Sequence, residues 1–197
     1  MSRNGSGPRE IAVPVSVFDA LRHELEEAAG MLQTVRALHH AGYQAGLHAA
    51  QSVNREAGGQ ALSLSSTGFW GHLSDFLSKR GWGTVNHRSP HAAVGILRTT
   101  DWAEAETEET SPDAACNFSA GYLSGLFSQL AGGPVAVLEV SCRARGDDAC
   151  DFAFGSETAI HDLYGRLLDG ADFDSALAEL WRLRSKGSHL RARWAST

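Results

Sequence analysis

Apolar residues recur at helical spacing early in the chain. Phe18, Leu21, Leu25, Ala28 and Leu32 fall three or four apart, and Val35, Leu38, Tyr43, Leu47 and Ala50 continue the rhythm. Two helices are predicted there, up to the Gly58-Gly59 break. A third is predicted over about 66–79, with Phe69, Trp70, Leu73, Phe76 and Leu77 along one side and Arg80-Gly81 at its end. The pattern then changes. Gly83 to His87 and Ala92 to Thr99 read as two antiparallel strands, with Arg88, Ser89, Pro90 and His91 as the turn between them. Ser111-Pro112-Asp113 signals a helix start, and a helix from about 114 to 131 ends at Gly132-Gly133-Pro134. The β-branched run Val135 to Val140 predicts a strand, Arg145 to Asp148 a turn, and Ala149 to Phe154 a returning strand. Helices at about 156–168 and 172–184 follow. The order predicts an α+β fold: N-terminal helices, an antiparallel sheet of about four strands in two hairpins, a helix between the hairpins, and C-terminal helices.

The 197 residues and 43% apolar content suit one domain, expected over 16–184. Residues 1–15 carry Gly, Ser and Pro without periodicity and read as a flexible lead-in without chemistry; residues 185–197 read as a polar tail. The stretch from Trp181 to Trp194 is locally basic and aromatic, a pattern that suits anionic lipid or a partner protein but more often marks a solvated helix end. A net charge of −6 gives no overall attraction for nucleic acid. No apolar run suits a secretory signal or a membrane span, so a cytoplasmic location is expected.

Three cysteines, all between 116 and 150, make a poor disulfide framework and a reasonable metal cluster. A helix of about 27 Å from 114 to 131 and a strand of about 23 Å from 135 to 141 return the chain to its starting level, so Cys116 and Glu139 are expected at one end. Cys142 and Cys150 flank the second hairpin turn and should meet there. Residues three apart on a regular strand point oppositely, so a shared site for Glu139 and Cys142 requires the strand to end or bulge near Val140. Cys116, expected in the first helical turn, would gain from the helix dipole as a thiolate, and Arg143 and Arg145 would offset excess negative charge. Spacing alone leaves two readings open: a metal site, or three incidental buried cysteines beside a solvated glutamate. In the first, thiolate-rich coordination with no open position points to structural zinc.

Cys116-Asn117-Phe118-Ser119-Ala120-Gly121-Tyr122-Leu123-Ser124-Gly125, followed by Leu138 to Cys142 and Gly146 to Phe152, resembles the signature of the 4-vinyl reductase domain family. That family shares its fold with transport-protein-particle subunits and with the sensor domains of phenol- and xylene-responsive activators. The resemblance covers roughly 116–154 and implies a homodimeric α+β domain with an apolar pocket and zinc at Cys116, Glu139, Cys142 and Cys150.

With the pocket implied in this way, its expected lining is Phe69, Trp70, Leu73, Phe76, Trp82, Ile96, Trp102, Phe118, Tyr122 and Leu126. His72 and Trp102 are the nearest polar groups for an aromatic hydroxyl, although neither falls at the sensing positions of phenol-responsive relatives, which favours a larger hydrophobic ligand. His39, His40, His48, His87 and His91 are assigned no role. No catalytic residues are assigned, since no nucleophile–base pair or glycine-rich phosphate loop stands out. The functional expectation is a stand-alone module that binds a small hydrophobic or aromatic molecule as sensor or carrier, with a regulatory protein as partner for any signalling. The alternatives are a tetrapyrrole-binding accessory or enzyme of (bacterio)chlorophyll 4-vinyl reduction, and a structural scaffold subunit.

Overall fold

The structure is a computed structural model describing residues 10–107 and 110–184, with side chains described to residue 180. Most of the basic–aromatic stretch from Trp181, the whole polar tail, and residues 1–9 of the lead-in lie outside the described residues.

Three helices come first: α1 (Ser16–Ala29), α2 (Met31–Glu56) and α3 (Ser66–Ser78). Gly30, at φ 80°, separates α1 from α2, and Ser65 caps α3 by accepting a hydrogen bond from the Gly68 N–H. Strands β1 (Asn86–His91) and β2 (Val94–Thr99) form the first hairpin, α4 (Asn117–Ala131) follows, and β3 (Ala136–Ser141) and β4 (Cys150–Gly155) form the second. Helices α5 (Glu157–Leu168) and α6 (Phe173–Arg184) close the described chain. The four strands form one antiparallel sheet in the order β1-β2-β4-β3, so β4 joins the two hairpins.

The first hairpin turns at Ala92 and Ala93, not at the expected Arg88 to His91, because β1 continues through Pro90. Pro90 is tolerated there because β1 is an edge strand, and the register shifts between Arg88 and His91. Helix α4 starts at Asn117, three residues later than expected, and Cys116 occupies its N-cap position.

Alternation along the central strands divides the interior into two layers. Leu97, Phe152 and Phe154 face α2, α3 and α4 in the larger core, while Val94, Ile96 and Ala153 face α5 and α6 with Ile160, Leu163 and Leu177. Gly95 lies opposite Phe154 across the strands, and a Cβ there would come within 2.3 Å of the Phe154 ring. The missing side chain gives that ring its place.

Helices α2 and α4 touch backbone to backbone. A Cβ at Gly42 would lie 2.0 Å from the Phe118 carbonyl oxygen, and one at Gly46 2.0 Å from that of Tyr122. From the other helix, Gly121 meets the His39 carbonyl and Gly125 that of Tyr43, at 2.0 and 2.1 Å from the position a Cβ would take. Small residues every fourth position on both helices permit this approach, which Cα–H···O contacts favour.

Candidate metal centre and ligand cleft

Four residues from three segments converge at one end of the sheet. Cys116 stands at the start of α4, Glu139 on β3, Cys142 just past β3 and Cys150 at the start of β4, and one ligand atom from each lies within 4.8 Å of all the others. The β3–β4 register shifts between Glu139 and Ser141, the irregularity that a shared site for Glu139 and Cys142 requires. The Cys116 sulfur is 3.9 Å from that of Cys142 and 4.0 Å from that of Cys150. Backbone donors surround the sulfurs: the Ala115 N–H donates to Cys142 Sγ and the Arg143 N–H to Cys150 Sγ, both at 3.4 Å. Such donors stabilise thiolates.

The Cys116 N–H donates to Glu139 Oε2 at 3.0 Å, but Glu139 Oε1 is buried with no hydrogen-bond partner. That orphaned oxygen, beside three crowded sulfurs, fits a bound cation. Tetrahedral zinc with Zn–S bonds of about 2.3 Å separates its sulfurs by about 3.8 Å, close to the spacing seen. With protein groups alone, burial and then the Cys142 thiolate push the Glu139 carboxyl up to about 9. Hydrogen bonds from Cys116 and Cys150 hold Cys142 far below the usual thiol range, while the bonds to Cys142 and Cys150 raise Cys116. Three thiolates and a carboxylate cannot all ionise together without a cation to offset them. The expected charge relief from Arg145 is spent elsewhere: it pairs with Asp147 at 2.6 Å, and Asp147 accepts from the Cys142 N–H at 2.8 Å.

A second carboxylate serves the same helix end. Glu104 is buried and accepts from the Phe118 N–H at 3.0 Å, the Ser119 N–H at 2.6 Å and the Ser119 hydroxyl. Glu104 and Glu139 thereby take up N–H groups that Cys116, as N-cap, does not satisfy with its own side chain. Sequence reading missed Glu104 because it sits within an acidic run, whose usual meaning is a solvated face.

The residues expected to line a pocket divide into three groups. Phe69, Leu73, Phe76, Trp102, Tyr122 and Leu126 are buried in the larger core, with Trp70, Trp82 and Phe118 packed against it. Ile96 is a correction: it points to the opposite face of the sheet, in the α5–α6 layer. The polar candidates are already satisfied, since His72 Nε2 donates to the Val53 carbonyl at 2.9 Å and Trp102 Nε1 to the Ser119 hydroxyl at 2.7 Å.

A cleft of about 840 Å³ opens beside this core instead of within it. Its walls are the 10–15 segment, Phe18 of α1, Ala45, His48 and Ala49 of α2, the chain from Lys79 to Trp82, and Tyr122 of α4. Of the expected lining only Trp82 and Tyr122 reach it. Residues 10–15, expected to carry no chemistry, form one wall, and His48, assigned no role, stands at the edge. An aromatic group backs the cleft, with Trp82 5.1 Å from Tyr122, 5.5 Å from Phe18 and 5.6 Å from Trp102 between ring centres. His87 stacks on Trp70 at 3.9 Å, and His91 lies buried in β1 rather than in a solvated turn.

The cysteine–glutamate end falls inside a segment with a recognisable family. Residues 96–156 match the 4-vinyl reductase domain. Of the curated proteins, uncharacterized protein MJ0745 of Methanocaldococcus jannaschii is 32% identical over 80 residues, covering 41% of this chain. The matched stretch spans 42% of that relative's length. Around the matched domain the fold extends further. The phenol-responsive sensory domain of the transcription activator PoxR, solved with phenol, superposes at a TM-score of 0.59 with 18% identity, over 88% of this chain and 84% of that one. A trafficking protein particle complex subunit 3 from Naegleria fowleri, covalently bound to palmitic acid, superposes at 0.54 with 13% identity, over 72% and 91%. At these identities the likeness is one of fold. No helix among the described residues is long and apolar enough to cross a membrane.

Proposed function

We propose that this chain is a binding module for a small hydrophobic molecule, its 4-vinyl reductase domain braced by a structural zinc ion at Cys116, Glu139, Cys142 and Cys150. The observation that carries the ligand reading is the cleft of about 840 Å³, walled by apolar residues and backed by Trp82 and Tyr122. Its volume falls in the range of about 300–1,000 Å³ usual for small-molecule sites. Two proteins of the same fold, the PoxR sensory domain and the Naegleria subunit, were solved with phenol and with palmitic acid.

Zinc would be held by four protein ligands, so its contribution is to cross-link α4 to the second hairpin rather than to activate water. The metal end and the cleft share α4, which carries Cys116 at its start and Tyr122 one turn and a half along. Bracing the start of α4 therefore fixes one wall of the cleft. The module is read as a homodimer: Met31 and Leu32, 55% and 61% exposed at the start of α2, offer an apolar face for a second copy.

Native mass spectrometry and tryptophan fluorescence test the ligand reading. Co-purified organic mass, or saturable quenching of Trp82 by hydrophobic probes, is expected. Ala45→Phe, which places a ring in the cleft, should weaken that binding about tenfold or more while leaving metal content unchanged. Binding that survives Ala45→Phe intact would exclude the cleft as the site.

A further inference from the structure

The cleft is apolar along most of its length, but its charged groups gather at one place. Arg80 Nε donates to both carboxylate oxygens of Glu10, at 3.2 and 3.0 Å, and its Nη2 donates to Glu56 at 2.7 Å. The guanidinium also lies 3.6 Å above the Phe76 ring, which fixes its position. Lys79 lines the same part of the wall. The N-terminal segment thus delivers a carboxylate to a cation anchored by α2 and α3. The Glu10 side chain is 48% exposed, and an ion pair in such a setting contributes little stability, so a competing carboxylate can displace it.

Tyr122 supplies the second observation. The residue is 5% exposed, its ring stacks among Trp82 and Phe118, and it faces the cleft. Its hydroxyl exchanges no hydrogen bond with any described residue, although it lies within electrostatic reach of both Arg80 and Glu10. A phenolic O–H in an apolar wall normally finds a partner.

We infer that the ligand of this cleft is an amphiphile with a carboxylate head, received by the Tyr122 hydroxyl and Arg80, and that Glu10 is the chain's own occupant of that anion position. The inference rests on the reading of the cleft as the ligand site. The apolar body of the ligand lies against Val13, Phe18 and Trp82. Its carboxylate accepts from Tyr122 O–H and takes over the Arg80 Nε, while Glu56 keeps its own bond to Nη2. When Glu10 leaves Arg80, the 10–15 wall loses its tether, so occupancy and the position of that segment are coupled.

Titration calorimetry with decanoate and 1-decanol, on the full chain and on Glu10→Gln and Tyr122→Phe, tests this. Decanoate should bind about tenfold more tightly than decanol, the contribution of a charge-assisted hydrogen bond. Glu10→Gln, which removes the competitor, should tighten decanoate about threefold and leave decanol unchanged. Tyr122→Phe should weaken decanoate more than decanol. Equal affinity for the two probes, unaffected by Glu10→Gln, would overturn the carboxylate assignment and leave the cleft standing as a site for neutral molecules. Failure of both probes to bind the full chain and Glu10→Gln would remove the cleft as a ligand site and this inference with it.

Discussion

Replacing Gly46 with alanine should destabilise the protein, although alanine is the better helix former. Position 46 lies inside α2, where exchanging glycine for alanine ordinarily gains about 1 kcal/mol. Here the added carbon would stand 2.0 Å from the Tyr122 carbonyl oxygen and 2.7 Å from the Leu126 nitrogen. Both atoms are backbone, so no rotamer change relieves the clash. Restoring ordinary contact means parting α2 from α4 by more than an ångström, which also opens the matching contacts at Gly42, Gly121 and Gly125. Overpacking of a well-filled interior costs about 1–3 kcal/mol where side chains can shift, and a backbone clash belongs at or above the top of that range. After the propensity gain, a net loss of about 2–3 kcal/mol remains, or a melting temperature about 5–10 °C lower for a chain of this size. Gly71 in α3 provides the control, since a Cβ there meets nothing within 4 Å, and Gly71→Ala should stabilise by up to about 1 kcal/mol. Thermal and urea unfolding of the two variants should move in opposite directions. A Gly46→Ala protein that melts with Gly71→Ala, or above the parent, would refute the close-contact argument.

Two further predictions concern the start of α4. Burial raises the Glu104 carboxyl from 4.5 to about 7, against its hydrogen bonds from Ser119 and Phe118. The folded state therefore holds that proton more tightly than the unfolded chain, giving stability that is full below about 4.5 and lost as pH rises through about 7. The loss amounts to about 3 kcal/mol at most. Glu104→Gln should flatten this fall in urea unfolding between about pH 5 and about pH 8, and an unchanged slope would contradict it. Cys142→Ser should lose the metal and lower the melting temperature by about 10 °C or more, because a structural ligand contributes folding free energy; a variant retaining both would show that Cys142 is no ligand.

Much of the fold could be read from the sequence because its punctuation is strong. Gly58-Gly59, Arg80-Gly81 and Gly132-Gly133-Pro134 end helices where expected, and the β-branched run before Ser141 forms β3. The four-residue constellation was legible because a helix and a returning strand of matched length bring their far ends together. Pro90 misled, since proline marks a turn more often than an edge strand. The seam between α2 and α4 had a visible signal, Gly42 and Gly46 facing Gly121 and Gly125, but small residues at that spacing reveal their partner only once both helices are placed. The cleft was missed for another reason: one wall is the aperiodic 10–15 segment, and its tether, Arg80 to Glu10, joins residues seventy positions apart. Aromatic residues at helical spacing were expected to surround a ligand, and most of them fill the core instead.

The most direct test of the account is native mass spectrometry of protein purified without added metal or ligand, set against its denatured mass, with melting measured before and after chelation. The account predicts one zinc per chain, lost on denaturation, and a lower melting temperature once chelator removes it. A folded protein that carries no metal, and whose melting is indifferent to chelator and to added zinc, would contradict it.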